Sequence, residues 1–416
     1  MAVLCLLFGV LALGITACGD DDDDDGGGGG GDGGGTVNVY SSLPLQGASR
    51  PQTTAMVDGI RLALKEAKNK AGSYTVKYES LDDSTAQAGA WTPERASANA
   101  RKVAQDDKAV AYIGEFNSGA SAISMPILNE GPVAQVSPAN TAVGLTSDEP
   151  GADKGEPDKY YPTGKRHYTR IVPKDTIQGA ALATLMKKDG CTKAAILNDK
   201  EVYGAGLSRN IESSAKEQGL EITGNDGIDP KAPNFRSVAS GLRSDGADCF
   251  VFSGITANGA VQLYKDVAAA LPDAKLYGPD GVAESGFANP KDGGIPPEVQ
   301  ERVKLSVATL APDKYGPAGR KFFSDFEAEY NEKNPDPYAI YGYEAMKLVL
   351  DTIEAAGDKG SDRQAIIDGL FATKGRDSVL GTYDIDENGD TTLTDYGIYE
   401  VKAGELEFSE TIKAEG

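Results

Sequence analysis

Histidine is almost missing from this 416-residue chain, with His167 as its one copy. A nucleophile–histidine–acid arrangement therefore has a single candidate base, and a histidine-rich metal site cannot be assembled. No Gly-x-Ser-x-Gly elbow occurs, and no pair of carboxylates stands out by position, so an enzyme is not expected. Positive charge is also short: 41 Lys and Arg face 63 Asp and Glu, for a net charge of −22. About a third of that excess lies in residues 20–32. The remainder still offers no clustered basic surface for phosphate, which excludes nucleic acid as an expected partner. Apolar runs are short as well. Residues 2–13 (AVLCLLFGVLAL) fall below the ~20 residues that span a bilayer.

That run ends in Ile15-Thr16-Ala17-Cys18-Gly19, which resembles a bacterial lipobox. Small residues admit the signal peptidase, and the Cys18 thiol is the group that accepts diacylglycerol. Residues 1–18 are thus read as a lipoprotein signal peptide. Cys18 is the expected lipidation site, anchoring the chain by lipid on the extracytoplasmic face of the cell membrane. Residues 19–35 (GDDDDDDGGGGGGDGGG) bury nothing and repel one another, as expected of a flexible tether.

Residues 36–416 are enough for two lobes. Short β-branched runs alternate with amphipathic ones. Strands are expected at Val37–Ser41, Tyr74–Ser80, Ala109–Ile113 and Val133–Val136, with helices at Ala55–Lys70, Arg95–Asp106 and Ala120–Asn129. The pattern restarts with helices at Ala181–Lys188, Gly206–Gln218, Phe235–Ser244 and Ala257–Leu271. Strands at Ala194–Leu197, Leu220–Thr223, Cys249–Ser253, Lys275–Tyr277 and Val303–Leu310 accompany them. Helices at Lys321–Asn331 and Ile340–Ala356 and a β-rich tail over 383–407 close the chain. This order predicts an α/β fold of two Rossmann-like lobes, each a parallel doubly wound sheet, joined near the Pro- and Gly-rich stretch Asp148–Thr163.

With Cys5 in the signal and Cys18 lipidated, Cys191 and Cys249 remain. Both sit at or just ahead of predicted strands that can be neighbours in a parallel sheet. A bridge is favoured over two buried free thiols in an oxidising compartment.

Several motifs in order then carry a family resemblance. They are Pro44-Leu45-Gln46-Gly47, Asp82-Asp83, Ile113-Gly114 with Ser118, Ser137-Pro138-Ala139-Asn140-Thr141, Tyr203-Gly204 and Gly278-Pro279-Asp280-Gly281-Val282. Over residues 36–416 the chain resembles a type I periplasmic solute-binding protein of the branched-chain amino acid (Leu/Ile/Val-binding) kind. The resemblance implies three hinge crossings, near 163–168, 307–312 and 379–384. The N-terminal lobe would hold 36–165 plus 311–380, and the C-terminal lobe 166–310 plus 381–416. It implies closure of the lobes on ligand, recognition of the closed form by ABC permease subunits, and a monomer without cofactor. A ligand-sensing receptor component is the alternative.

Ser118 and Gly119 precede a helix start, where backbone N–H groups suit a carboxylate. By the resemblance, Ala139, Asn140 and Thr141 complete that cradle, and Asp280 pairs with an ammonium. Tyr203 forms a wall, and Tyr343 matches a family tyrosine with a core or hinge role equally open. Ile255 stands where amino-acid binders commonly carry an aromatic residue, which leaves the solute open among amino acids, amides and organic acids. Asp384, Asp386, Asn388 and Asp395 match calcium-loop spacing, but flanking helices are missing and the run is an ordinary hairpin turn, so no metal is assigned.

Overall fold

The computed structural model describes residues 34–413. The expected signal peptide, Cys18 and most of the tether lie outside the described residues. No described helix is long and apolar enough to cross a membrane.

The chain begins with β1 (Thr36–Leu43) and α1 (Arg50–Glu66), followed by the strands β2 (Lys70–Ala71) and β3 (Tyr74–Asp82). A small hairpin, β4 (Ser84–Thr85) and β5 (Ala90–Trp91), precedes α2 (Pro93–Ala104), β6 (Ala109–Gly114) and α3 (Ser118–Glu130). Next come β7 (Ala134–Ser137) and β8 (Tyr168–Arg170), which complete a first sheet of order β2-β3-β1-β6-β7-β8. Every pairing in it is parallel except β2 on β3. β6 is buried along its whole length, as helices on both faces of a parallel sheet require.

The second sheet is built from α4 (Asp175–Lys188), β9 (Lys193–Asn198), α5 (Val202–Glu217), β10 (Glu221–Gly227), α6 (Arg236–Ser244) and β11 (Cys249–Ser253). α7 (Ala260–Ala270), β12 (Lys275–Gly278), two single-turn helices α8 (Ser285–Ala288) and α9 (Pro297–Gln300), and β13 (Val303–Val307) follow. The chain then returns to the first lobe as α10 (Pro317–Tyr330), α11 (Ala339–Ala355), α12 (Arg363–Phe371) and the hairpin β14 (Arg376–Ser378) and β15 (Gly381–Tyr383). It ends with β16 (Tyr396–Lys402) and β17 (Glu405–Ile412), antiparallel at the edge of the second sheet, whose order is β10-β9-β11-β12-β13-β16-β17.

Local chemistry explains the boundaries. Thr92 caps α2 by accepting from the Arg95 N–H, with Pro93 as the first helical residue. Asp362 caps α12 through the Ala365 N–H at 2.9 Å. α1 starts earlier than expected because Pro51 suits its first turn, and it packs on α11 through facing glycines. A Cβ at Gly59 would stand 2.3 Å from the Ala339 carbonyl oxygen, and one at Gly342 2.1 Å from that of Met56. The helices touch backbone to backbone there.

The expected lobe boundaries shift in two places. β8 pairs Tyr168 with Gln135 and so extends the first sheet past residue 165; the chain changes sheets between Arg170 and Asp175. β14 and β15 stay with α11, since Arg376 and Tyr383 both bond Glu344, so the last passage falls between Asp390 and Tyr396 rather than at 379–384. The Asp148–Thr163 stretch is not the junction. Its Tyr160 and Tyr161 bury beside Met125, Leu145 and Tyr168, and its Gly151 carbonyl accepts from Arg209 of α5 at 2.6 Å. His167 is a core residue: buried and held by Asn129 at 2.9 Å, its pKa is pushed down to about 3.

Cys191 and Cys249 are bridged, with Cα atoms 5.8 Å apart across 58 residues. Losing a closure of that length relaxes the unfolded chain, at a cost of about 4 kcal/mol in the chain-entropy description. Denaturant unfolding with and without reductant should show a loss on the order of 2–4 kcal/mol, absent from a C191A/C249A variant.

Candidate functional site

Each sheet has a point where strand order reverses, and the loops there face each other. In the first sheet β1 lies between β3 and β6; in the second β9 lies between β10 and β11. Loops leaving the carboxyl ends of β6 and β7 meet those leaving β9, β11 and β12, the place where open α/β sheets hold ligands. The walls nearly touch, enclosing about 30 Å³. Ser118, Gly119, Ala139, Thr141, Tyr203, Ile255 and Asp280 all line this cavity, joined by Trp91, Phe116, Glu201 and Tyr338.

The first-lobe wall presents donors. The Ser118, Gly119 and Thr141 N–H groups meet no acceptor among the described residues, and the buried Thr141 Oγ1 is also without a partner. The Ser118 hydroxyl accepts from the Ala142 N–H at 3.4 Å, locking one loop to the other. Asn140 turns away from the cavity. Its amide donates to the Phe116 carbonyl at 2.9 Å and its oxygen accepts from Ser121 and Tyr168, so it shapes the two loops instead of lining the cleft.

The second-lobe wall presents acids. Asp280 accepts from the hydroxyls of Tyr203 and Tyr338, each at 2.8 Å, and burial raises its pKa. Tyr338 arrives on the segment leading into α11, so this bond crosses between lobes. Asp175, the first residue of α4, stands behind Thr141; its oxygens have no partner within ordinary hydrogen-bond geometry, and burial, tempered by the nearby Thr141 hydroxyl and Arg170, pushes its pKa up to about 8. The two acids repel each other. Asp199 holds the second-lobe loops together, accepting from the Ile255 and Glu201 N–H groups and the Asn258 amide.

Arg170 at the end of β8 supports the donor loop from beneath. Fully buried, it donates to Asp390 at 2.6 Å, to the Ala142 carbonyl at 2.8 Å, to that of Asn140 at 3.3 Å, and to Thr146. The Asp-rich run at 384–390 forms this arrangement and its own turn: Asp386 accepts from the Asn388 and Asp390 N–H groups, while Asp384 accepts from that of Gly375.

Two lobes with facing switch-point loops and a donor wall opposite an acid wall match one known pattern, and residues 36–405 match the periplasmic binding protein family. The chain belongs to that family. Within it, the likeness is to the branched-chain amino acid branch. The Leu/Ile/Val-binding protein BraC3 of Rhizobium johnstonii is 25% identical over 370 residues, 87% of this chain and 91% of the relative. The crystal structure of the leucine-binding protein LivK from Thermotoga maritima superposes with a TM-score of 0.77 at 23% identity, covering 91% of this chain and 99% of that one. A solute-binding protein from Rhodopseudomonas palustris in complex with p-hydroxybenzoic acid has the same fold, at TM-score 0.74 and 18% identity over 92% and 98% of the two chains.

Tyr338, Trp91, Glu201 and Asp175 were not singled out in the sequence. Trp91 sits on a two-residue strand and Tyr338 in a loop, so no periodicity marks them; Asp175 follows Lys174 as an ordinary helix start would. Tyr343 instead points to the outer side of α11, where it bonds Glu66 at 2.6 Å and packs on Phe322.

The raised Asp175 pKa makes a pH prediction for this periplasmic binding protein. A folded carboxyl that titrates near 8 holds a proton that the unfolded chain has released, so its share of stability is lost as pH rises through about 8. Denaturation midpoints of the ligand-free protein at about pH 6 and about pH 9 should show this fall, and D175N should reduce it.

Proposed function

We propose that this protein is the lipid-anchored substrate-binding component of an ABC importer and that it captures a zwitterionic amino acid between its lobes. The observation that carries the reading is the opposition of unmet charges. Free N–H groups of Ser118, Gly119 and Thr141 suit an α-carboxylate, and across from them Asp280 lines the cleft without a cation. An ammonium would satisfy Asp280 and draw its pKa down. A benzoate-type acid would use the donor wall and leave the acid wall buried and unpaid in charge.

A cavity of about 30 Å³ holds little more than two waters at ~10–15 Å³ each. The lobes must part to admit solute. Hinge motion at the three sheet-to-sheet passages, and recognition of the closed form by permease subunits, follow from this reading. The relatives named for leucine, isoleucine and valine support an amino acid. The Cys191–Cys249 bridge supports an oxidising, extracytoplasmic compartment.

A thermal-shift panel of amino acids, amides and benzoates on the soluble domain tests the solute. A binder present at one hundred times its dissociation constant should add about 2.7 kcal/mol. D280N should weaken an amino acid about thirtyfold or more, since stranding one partner of a buried charge pair costs ~2–5 kcal/mol. Stabilisation by benzoates alone would discard the ammonium role. For the anchor, C18S should shift the protein from the membrane fraction to the soluble one, and an unchanged distribution would overturn lipidation at that residue.

A further inference from the structure

Glu201 is the one cleft-lining acid whose work the preceding reading leaves unassigned. It is the residue before α5, on the loop leaving β9, and it projects from the second lobe toward the donor wall of the first. A Cβ built on Gly119 would stand 3.1 Å from Glu201 Oε2 and 2.7 Å from Trp91 Cζ2, so carboxyl and indole lie together over the start of α3. Around it are Asp199 on its own loop, the Asn258 amide from the loop after β11, the Trp91 ring from the β4–β5 hairpin, and Gly119. Asp199 is its charged neighbour and repels it. Asp280 titrates on the same second-lobe wall, with Asp175 buried behind Thr141.

A carboxylate held there would face the anionic end of a zwitterion seated on the Ser118, Gly119 and Thr141 N–H groups. A carboxylic acid would instead donate a short, charge-assisted hydrogen bond to it. We infer that Glu201 is a ligand-positioning residue that closes over the solute carboxylate in its protonated form, so that this side chain takes up a proton as solute binds above neutrality. This rests on the proposed amino-acid reading of the cleft. Burial and Asp199 push the Glu201 pKa up to about 7, which places the proton within physiological reach. Asp280 acts in the opposite direction, because an ammonium ligand requires it ionised. The test must therefore compare proteins that share Asp280 and Asp175.

Dissociation constants for L-leucine, L-isoleucine, L-valine, L-threonine and L-alanine would be measured by calorimetry on the wild type and E201Q between about pH 6 and about pH 9. The ratio of wild-type to E201Q constants should rise about tenfold per pH unit above neutrality, because the amide keeps its donor while the acid loses it. Trp91, the chain's single tryptophan, supplies an independent fluorescence titration beside the same group. Should E201Q fold poorly, E201A replaces it, and the advantage of the wild type over E201A should shrink as pH rises. A ratio that stays level with pH overturns the inference and leaves the amino-acid reading intact. Failure of all five amino acids to bind the wild type at every pH overturns both.

Discussion

The Arg170–Asp390 ion pair is the interaction on which the site depends. A guanidinium with no exposed surface is costly unless its donors are used, and here the 140–146 loop and the returning segment supply acceptors to an arginine carried by β8. Lys174 adds a second cation 3.6 Å from Asp390, which helps to hold that carboxyl below its usual range. Three separate stretches of chain meet at one charge. The free Thr141 N–H in the donor wall faces the cleft because the carbonyls on either side of it, at Asn140 and Ala142, are pulled back onto Arg170. Removing either partner would strand the other charge in the interior, at a cost on the order of 3–5 kcal/mol.

A second constraint is the excess of buried acid over buried cation around the cleft, where Arg170 is held by Asp390. Asp83 and Glu115 form a fully buried pair at the carboxyl ends of β3 and β6, and burial together with mutual repulsion raises Asp83 far above the carboxylate range. Glu284, pushed up to about 7, reaches Ser49 of the other lobe at 3.3 Å. Acids that prefer to be neutral let two lobes of a strongly negative protein approach without like-charge repulsion. The same acids become attractive to a cation once one arrives, so lobe closure and solute charge are linked.

Much of the fold was legible along the chain. Buried strands such as Cys249–Ser253 read as continuous apolar runs, and α2 was expected over Arg95–Asp106, two residues later than its Pro93 start behind the Thr92 cap. The donor residues Ser118 and Thr141 were readable because switch-point loops follow directly from strand order. β8 was not, since three residues carry no period, and its place was decided by the open edge of β7. Ile255, which stands where amino-acid binders commonly carry an aromatic residue, lines the cavity together with Trp91, an aromatic supplied from a hairpin that no family motif foretold.

Sequence alone determined the alternation of strand and helix, the two-sheet plan and the acid character of the cleft, because each depends on local pattern or on residue type; it favoured the Cys191–Cys249 bridge, which the adjacency of β9 and β11 decided. Only the tertiary structure decided which acids face the donor wall, that Asn140 and Tyr343 turn away from the cavity, and that Tyr338 and Glu201 reach it from opposite lobes. These depend on how two lobes built from discontinuous segments are set against each other, and no spacing within one segment carries that information.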